Sequence, residues 1–234
     1  MNVRMMAMGL ALGLGLAGTV AAAECTQDDD WAKLGAYRGG NAELLARPAA
    51  ARRVVFMGDS ITEYWKTGTL SLADMPGFVN RGISGQTTPQ MLLRFRPDVV
   101  DLAPQVVVIL GGTNDIAGNT GPTTLAAIEG NIASMAELAR AHGIRVVLGS
   151  VLPAATYYWA PEIKPAETIV ALNLWLRDYA RRQGYGYVDF HGAMADAAHG
   201  LRKEYSEDGV HPNAAGYALM NRLLAPMLAS PEPR

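Results

Sequence analysis

The chain has 234 residues, enough for one domain whose core needs no disulfide or metal staple. Its 20 Lys and Arg against 22 Asp and Glu leave a net charge of -2. That balance excludes nucleic-acid binding as the main role, because such a surface must be basic to release counterions. Half of the residues are hydrophobic and 18% are charged, which excludes intrinsic disorder, and a single cysteine, Cys25, excludes an internal disulfide framework.

The first element is a leader. One charge, Arg4, precedes an apolar run from Met5 to Val20 and then Ala21-Ala22-Ala23. A basic start, a hydrophobic stretch and small residues at a cleavage position lay out a secretory signal peptide over residues 1–23. The run is about 16 residues, short of the ~20 that a helix needs to span a bilayer, so no stable membrane span is expected after processing. The expected product is one domain, residues 24–234, exported to the periplasm or secreted, with Cys25 near its start carrying no chemistry.

Strands and helices then alternate. Trp31–Ala46 has apolar residues at roughly helical spacing, interrupted by Gly39-Gly40. Val54–Met57 is a short β-type run ending at Gly58, and Phe78–Asn80 is a second strand. Pro89–Leu102 reads as a helix with Met91, Leu92, Phe95, Val99 and Leu102 on one face. Val106–Leu110 is uniformly apolar, as expected of a strand buried on both faces. Pro122–His142 is a helix stopped by Gly143, Val146–Leu148 a strand, and Pro165–Gln183 a helix stopped by Gly184. Tyr187–Phe190 is the fifth strand and Pro212–Leu228 the last helix. Five apolar strands separated by helices predict a parallel sheet with helices on both faces, and chemistry just past the carboxyl ends of its strands.

Four segments satisfy that filter or follow it late in the chain. After the first strand, Gly58-Asp59-Ser60-Ile61-Thr62 turns sharply and sets Ser60 at a helix start, where backbone N–H groups point toward any charge forming on a substrate. Ser and Asp there are equally good helix caps. After the second strand, Gly82 and Gly85 in Asn80-Arg81-Gly82-Ile83-Ser84-Gly85 let a backbone N–H face a ligand. After the third, Gly112-Thr113-Asn114-Asp115 offers the Asn114 amide, or simply a turn. Near the end, Asp208-Gly209-Val210-His211 puts a carboxylate against one imidazole nitrogen and leaves the other free as a base. Together they supply a hydroxyl, a base, an orienting acid and oxyanion donors, the set needed for acyl transfer. The nucleophile does not stand in G-x-S-x-G, so the α/β-hydrolase elbow is absent.

These four segments resemble the SGNH, or GDSL, hydrolase family, over a span from about Val54 to Gly216. The stretch from Asn80 to Pro89 is also similar to the branch with platelet-activating-factor acetylhydrolase-like and lysophospholipase-like esterases. The resemblance implies a flavodoxin-like three-layer α/β/α sandwich with a five-stranded parallel sheet, hydrolysing esters without a cofactor. It implies Ser60 as nucleophile, His211 as base and Asp208 as its orienter. It implies an oxyanion hole from the Ser60 and Gly82 N–H groups and the Asn114 amide.

The expected partner is a small acyl ester. Short acyl or acetyl groups on carbohydrate or lipid are favoured over the longer chains of a lysophospholipase or acyl thioesterase. A ligand-binding module without activity is the alternative of another class, although every chemical position is filled. Trp65, close behind the nucleophile, and Tyr157, Tyr158 and Trp159, in the loop after the fourth strand, are expected to line the substrate site. The stretch Leu152–Ile163 is long enough for a partial lid. His142 reads as a helix-end residue, and His191 and His199 lack the spacing of a metal site, so none is expected.

Overall fold

The fold was taken from a computed structural model, which describes residues 30–65 and 75–229. The predicted leader and Cys25 lie outside the described residues. Five strands, β1 (Val54–Gly58), β2 (Phe78–Gly82), β3 (Val106–Leu110), β4 (Arg145–Gly149) and β5 (Gly186–Val188), form one parallel sheet in the order β2-β1-β3-β4-β5. That order is the flavodoxin-like one, in which the chain first moves outward to β2 and then crosses β1 to build the other half. The reversal opens a crevice at the carboxyl ends of β1 and β3.

Every residue of β1 and β3 is buried, because helices cover both faces. Strand alternation splits the core in two. Val55, Met57, Val107, Ile109, Val146 and Leu148 face one side. There they pack against α3 (Thr88–Phe95), α5 (Leu125–Ala141) and α6 (Ala166–Gln183) through Met91, Phe95, Ile128, Ile132, Ile169, Leu172 and Leu176. Val54, Phe56, Val106, Val108 and Leu110 face the other, against α7 (Phe190–Met194) and α8 (Ala214–Ala229) through Phe190, Met194, Tyr217, Met220 and Leu224.

Several boundaries differ from the sequence reading, each for a local reason. The first helix, α1, spans only Arg38–Leu45 and runs through Gly39-Gly40. The residues before it are turns, held by the Asp30 carboxylate, which accepts the Leu34 and Gly35 N–H groups at 2.8 Å. The predicted helix from Pro89 to Leu102 changes form at Arg96, where a π-helical turn runs to Val100. Pro97 lacks an N–H, so the regular i→i−4 ladder breaks there, and Asp101 N–H reaches five residues back to the Arg96 carbonyl at 2.9 Å. The fifth strand stops at Val188 because the Asp189 carboxylate accepts the Gly192 N–H and caps α7. The last helix starts at Ala214, not at Pro212, with Asn213 Oδ1 accepting the Gly216 N–H at 3.0 Å.

Candidate active site

The turn out of β1 cannot tolerate a side chain at Gly58. An added Cβ would lie 2.0 Å from Thr62 Oγ1 and 2.6 Å from the Leu110 carbonyl. The chain therefore enters α2 (Ser60–Glu63) at once, with Asp59 as the cap, its Oδ1 accepting the Ile61 N–H at 2.9 Å. Ser60 takes the first helical position, where its own N–H has no carbonyl one turn back to bond to. The residue is 9% exposed, so little of it reaches the surface.

The Ser60 hydroxyl meets His211 across 151 residues of sequence, Oγ to Nε2 at 3.0 Å. The other ring nitrogen, Nδ1, donates to Asp208 Oδ2 at 2.7 Å. Asp208 Oδ1 accepts the Val210 and His211 N–H groups, both at 2.8 Å, so one carboxylate fixes both the backbone and the ring. Partial burial would raise the Asp208 carboxyl, but the hydrogen bonds from the His211 ring, the His211 N–H and the Val210 N–H outweigh it and hold it below the usual value. Ser206, which the sequence did not single out, locks this turn. Its buried hydroxyl lies 2.8 Å from the His211 carbonyl and 3.1 Å from Asp208 Oδ1, and accepts the Gly209 N–H at 2.9 Å.

The expected role of Gly82 does not survive the geometry. Its N–H donates to Asn80 Oδ1 at 2.8 Å, an Asx turn two residues long, and its carbonyl accepts the Tyr37 hydroxyl. What requires glycine there is close packing: a Cβ would fall 2.1 Å from the Glu63 nitrogen. The open donor of this loop is Gly85. It is exposed, takes φ +78°, and its N–H makes no hydrogen bond among the described residues. Glu63 holds the loop in place by accepting the Ser84 N–H at 2.7 Å and the Ser84 hydroxyl at 2.5 Å. The sequence signal that separates the two glycines was Asn80, whose side chain naturally captures the N–H two residues on.

Asn114 lies in α4 (Thr113–Ile116), directly after β3 and Gly112. Its Nδ2 donates one hydrogen to the Gln86 carbonyl at 3.0 Å, leaving the second, and its Oδ1 accepts from Asn119 Nδ2 at 2.9 Å. Neighbouring Asp115 is structural: its carboxylate accepts the Thr88 N–H and hydroxyl and so ties α4 to the start of α3.

The aromatic residues divide. Trp65 is 1% exposed and sits in the second core, its ring 5.7 Å from Phe56 and 5.9 Å from both Phe190 and Tyr217, with Nε1 donating to Asn221. No surface of it is left for a ligand, so the expectation that it lines the site is corrected. Tyr157 is likewise fully buried, stacked on Trp159 at 4.9 Å, and anchors the loop after β4. Tyr158 is 65% exposed and its ring lies 6.4 Å from that of His211. Tyr64, 47% exposed, lies 5.6 Å from the same imidazole. Trp159 completes the rim, edge-on to Tyr158 at 4.8 Å.

Of the other histidines, His142 Nδ1 donates to the Leu138 carbonyl at the end of α5. His191 and His199 stack 5.7 Å apart, and burial lowers the pKa of His191. Among the described residues, no three His, Cys, Asp or Glu side chains gather to hold a metal ion, and no helix is long and apolar enough to cross a membrane.

A hydroxyl, an imidazole and a carboxylate in hydrogen-bonded series at the switch point of this sheet are the parts that a serine ester hydrolase requires. The sequence matches the GDSL-like lipase/acylhydrolase family over residues 56–219, and the chain belongs to that family. It is 31% identical over 186 residues to esterase TesA of Pseudomonas aeruginosa, covering 74% of this chain and 85% of the relative. A shorter match, 38% over 78 residues, spans only 32% of an uncharacterized lipoprotein, YqeF, of Bacillus subtilis and 32% of this chain. The crystal structure of a GDSL-like lipase from Bacteroides thetaiotaomicron superimposes with a TM-score of 0.80 at 44% identity, over 84% of this chain and 97% of that one. An acetylxylan esterase from Geobacillus stearothermophilus, solved as a catalytic mutant, shares the fold at 20% identity with a TM-score of 0.64, over 78% and 96% of the two chains.

Proposed function

We propose that the protein removes short acyl groups, acetyl foremost, from carbohydrate through an acyl-enzyme on Ser60. The observation that carries the chemistry is the continuous series Ser60 Oγ, His211 Nε2, His211 Nδ1, Asp208 Oδ2, at 3.0 and 2.7 Å. His211 takes the Ser60 proton as Oγ attacks the ester carbonyl. The tetrahedral oxygen receives the Ser60 N–H, the Gly85 N–H and the second hydrogen of Asn114 Nδ2. His211 then gives its proton to the leaving alcohol, and water repeats the steps to free the acid. Asp208 keeps the ring in the tautomer that leaves Nε2 basic.

The substrate class follows from which part of the ester meets the aromatic rings. The leaving alcohol must sit beside His211, which protonates it. Tyr64 and Tyr158 flank that imidazole with exposed faces, so they contact the alcohol side of the ester and not the acyl side. Flat exposed rings beside a departing alcohol suit the C–H faces of a sugar. The N-terminal layout supports export of a single domain from residue 24 to the periplasm or medium, which the mass of the processed chain reads out.

Rates with p-nitrophenyl esters from acetyl to palmitoyl, and with acetylated oligosaccharides, test the reading. Acetyl esters should be fastest, and Ser60→Ala should abolish both turnover and labelling by a fluorophosphonate while the fold persists. A fatty ester preferred over acetyl would overturn the substrate, and an active Ser60→Ala would overturn the mechanism.

A further inference from the structure

An oxyanion donor made from a side-chain amide has a weakness that a backbone N–H lacks. Rotating the Asn114 amide by half a turn replaces its NH₂ with a carbonyl oxygen of nearly the same size. The flipped group would present negative charge to the forming oxyanion. Something must therefore fix the sense of the amide before substrate arrives.

The structure assigns that task to Asn119, an exposed residue past the end of α4, as a positioning residue for Asn114. Asn119 Nδ2 donates to Asn114 Oδ1 at 2.9 Å and also reaches the Gly85 carbonyl at 3.2 Å. Asn119 is an amide too and could itself turn, but Trp159 prevents this. The indole Nε1, which can only donate, bonds to Asn119 Oδ1 at 3.0 Å. At the far end, Asn114 Nδ2 donates to the Gln86 carbonyl, which can only accept. The series Trp159, Asn119, Asn114, Gln86 thus begins at an obligatory donor and ends at an obligatory acceptor. Both amides between them have one permitted sense, and in it the spare Asn114 hydrogen remains for the oxyanion.

The same series joins the aromatic loop after β4 to the catalytic floor. Tyr157 is buried beneath Trp159 and stacked on it, so the indole is held from below while its Nε1 grips Asn119. Through these contacts the loop braces the oxyanion site.

This inference rests on Asn114 being an oxyanion donor, and the experiment separates the two. Turnover of p-nitrophenyl acetate is measured for Asn119→Ala, Asn119→Asp, Trp159→Phe, Asn114→Ala and the Asn114→Ala/Asn119→Ala pair. Asn114→Ala should lower kcat on the order of 10²–10³-fold, as removal of one oxyanion donor does. Asn119→Ala should lower kcat roughly tenfold with KM within twofold, a part of that loss. Asn119→Asp should be worse, because its carboxylate attracts the Asn114 NH₂ and turns the amide. Trp159→Phe keeps an aromatic ring against Tyr157 but removes the N–H together with the pyrrole part of the indole, and should lower kcat a few fold. In the Asn114→Ala background, Asn119→Ala should cost at most about threefold more, since only its longer bond to the Gly85 carbonyl is then left to lose. A full kcat for Asn119→Ala, or the same tenfold loss with Asn114 already removed, overturns the positioning role and leaves the mechanism standing. An undiminished kcat for Asn114→Ala overturns both.

Discussion

Asp59 stands next to Ser60 in sequence, yet its carboxyl is committed to the fold. It is 1% exposed, and burial pushes it up to about 7 against the opposing pull of the Ile61 N–H and the charge of His211. The unfolded chain releases this proton near pH 4. Between about pH 4 and 7 the folded protein therefore binds a proton that the unfolded chain has lost, and this group makes stability fall as pH rises across that window. Asp208 acts in the opposite sense: its lowered pKa gives stability present above the unfolded value and lost as pH falls toward the folded one. Asp59→Asn keeps an acceptor for the Ile61 N–H and removes the titration. Its Tm, measured from pH 4 to 8, should fall less than that of the unaltered protein up to pH 7, and parallel curves would show that Asp59 does not titrate there. Ser60, Asp208 and His211 could each be picked out by residue type and local spacing, but each alone also read as a helix cap or a turn, and only the four segments together pointed to acyl transfer. Gly82 was misassigned because two glycines three residues apart look alike until it is known which N–H is already bonded.

Elements were read well where a repeating pattern spanned them and less well at their ends. Val106–Leu110 was placed to the residue, since a short β-branched run bounded by Pro104-Gln105 and Gly111-Gly112 reads as a strand rather than a buried helix. The helix predicted from Pro122 begins instead at Leu125, because Thr124 has extended backbone and its Oγ1 accepts the Ala127 N–H at 3.2 Å. That cap is solvent-exposed and makes a clean test of local energetics. Thr124→Ala should lower stability by about 1 kcal/mol and Thr124→Ser by much less. In urea the midpoint should shift with an unchanged slope, as expected when one hydrogen bond is lost and the surface exposed on unfolding stays the same.

For the molecule as a whole, a buried polar network under the crevice joins elements distant in sequence. Arg94 is fully buried and donates to Asp98 Oδ2 at 3.0 Å, to Gln86 Oε1 at 2.5 Å and to the Gly58 carbonyl at 2.9 Å. Asn41 on α1 adds a bond to Asp98 Oδ1 and accepts from Arg81 on β2. The guanidinium thus ties the turn that leads into Ser60, the loop after β2 and the π-helical turn at Pro97 into one body. Arg94→Met should destabilise the fold by about 3–5 kcal/mol, because the buried Asp98 loses its cation. The double variant Arg94→Met/Asp98→Leu should recover part of that loss, which paired denaturation curves will show. Periodicity placed Arg94 on a helix but gave no hint of its burial, since charged residues are rarely interior unless partnered, and beyond Asp98 one turn on, its partners Gln86 and the Gly58 carbonyl come from other segments.

By itself the sequence determined the alternation of strands and helices, the parallel sheet and the four segments that hold the candidate site residues. Each of these is a local pattern, written in apolar spacing, glycine positions and residue type. Only the tertiary structure decided that Ser60 and His211 meet at 3.0 Å, that Gly85 and not Gly82 keeps an open N–H, that Trp65 belongs to the core, and that Asn119 stands behind Asn114. Those outcomes depend on which buried polar group finds which partner across the sheet, and such pairings are settled by the packing of distant elements rather than by neighbours along the chain.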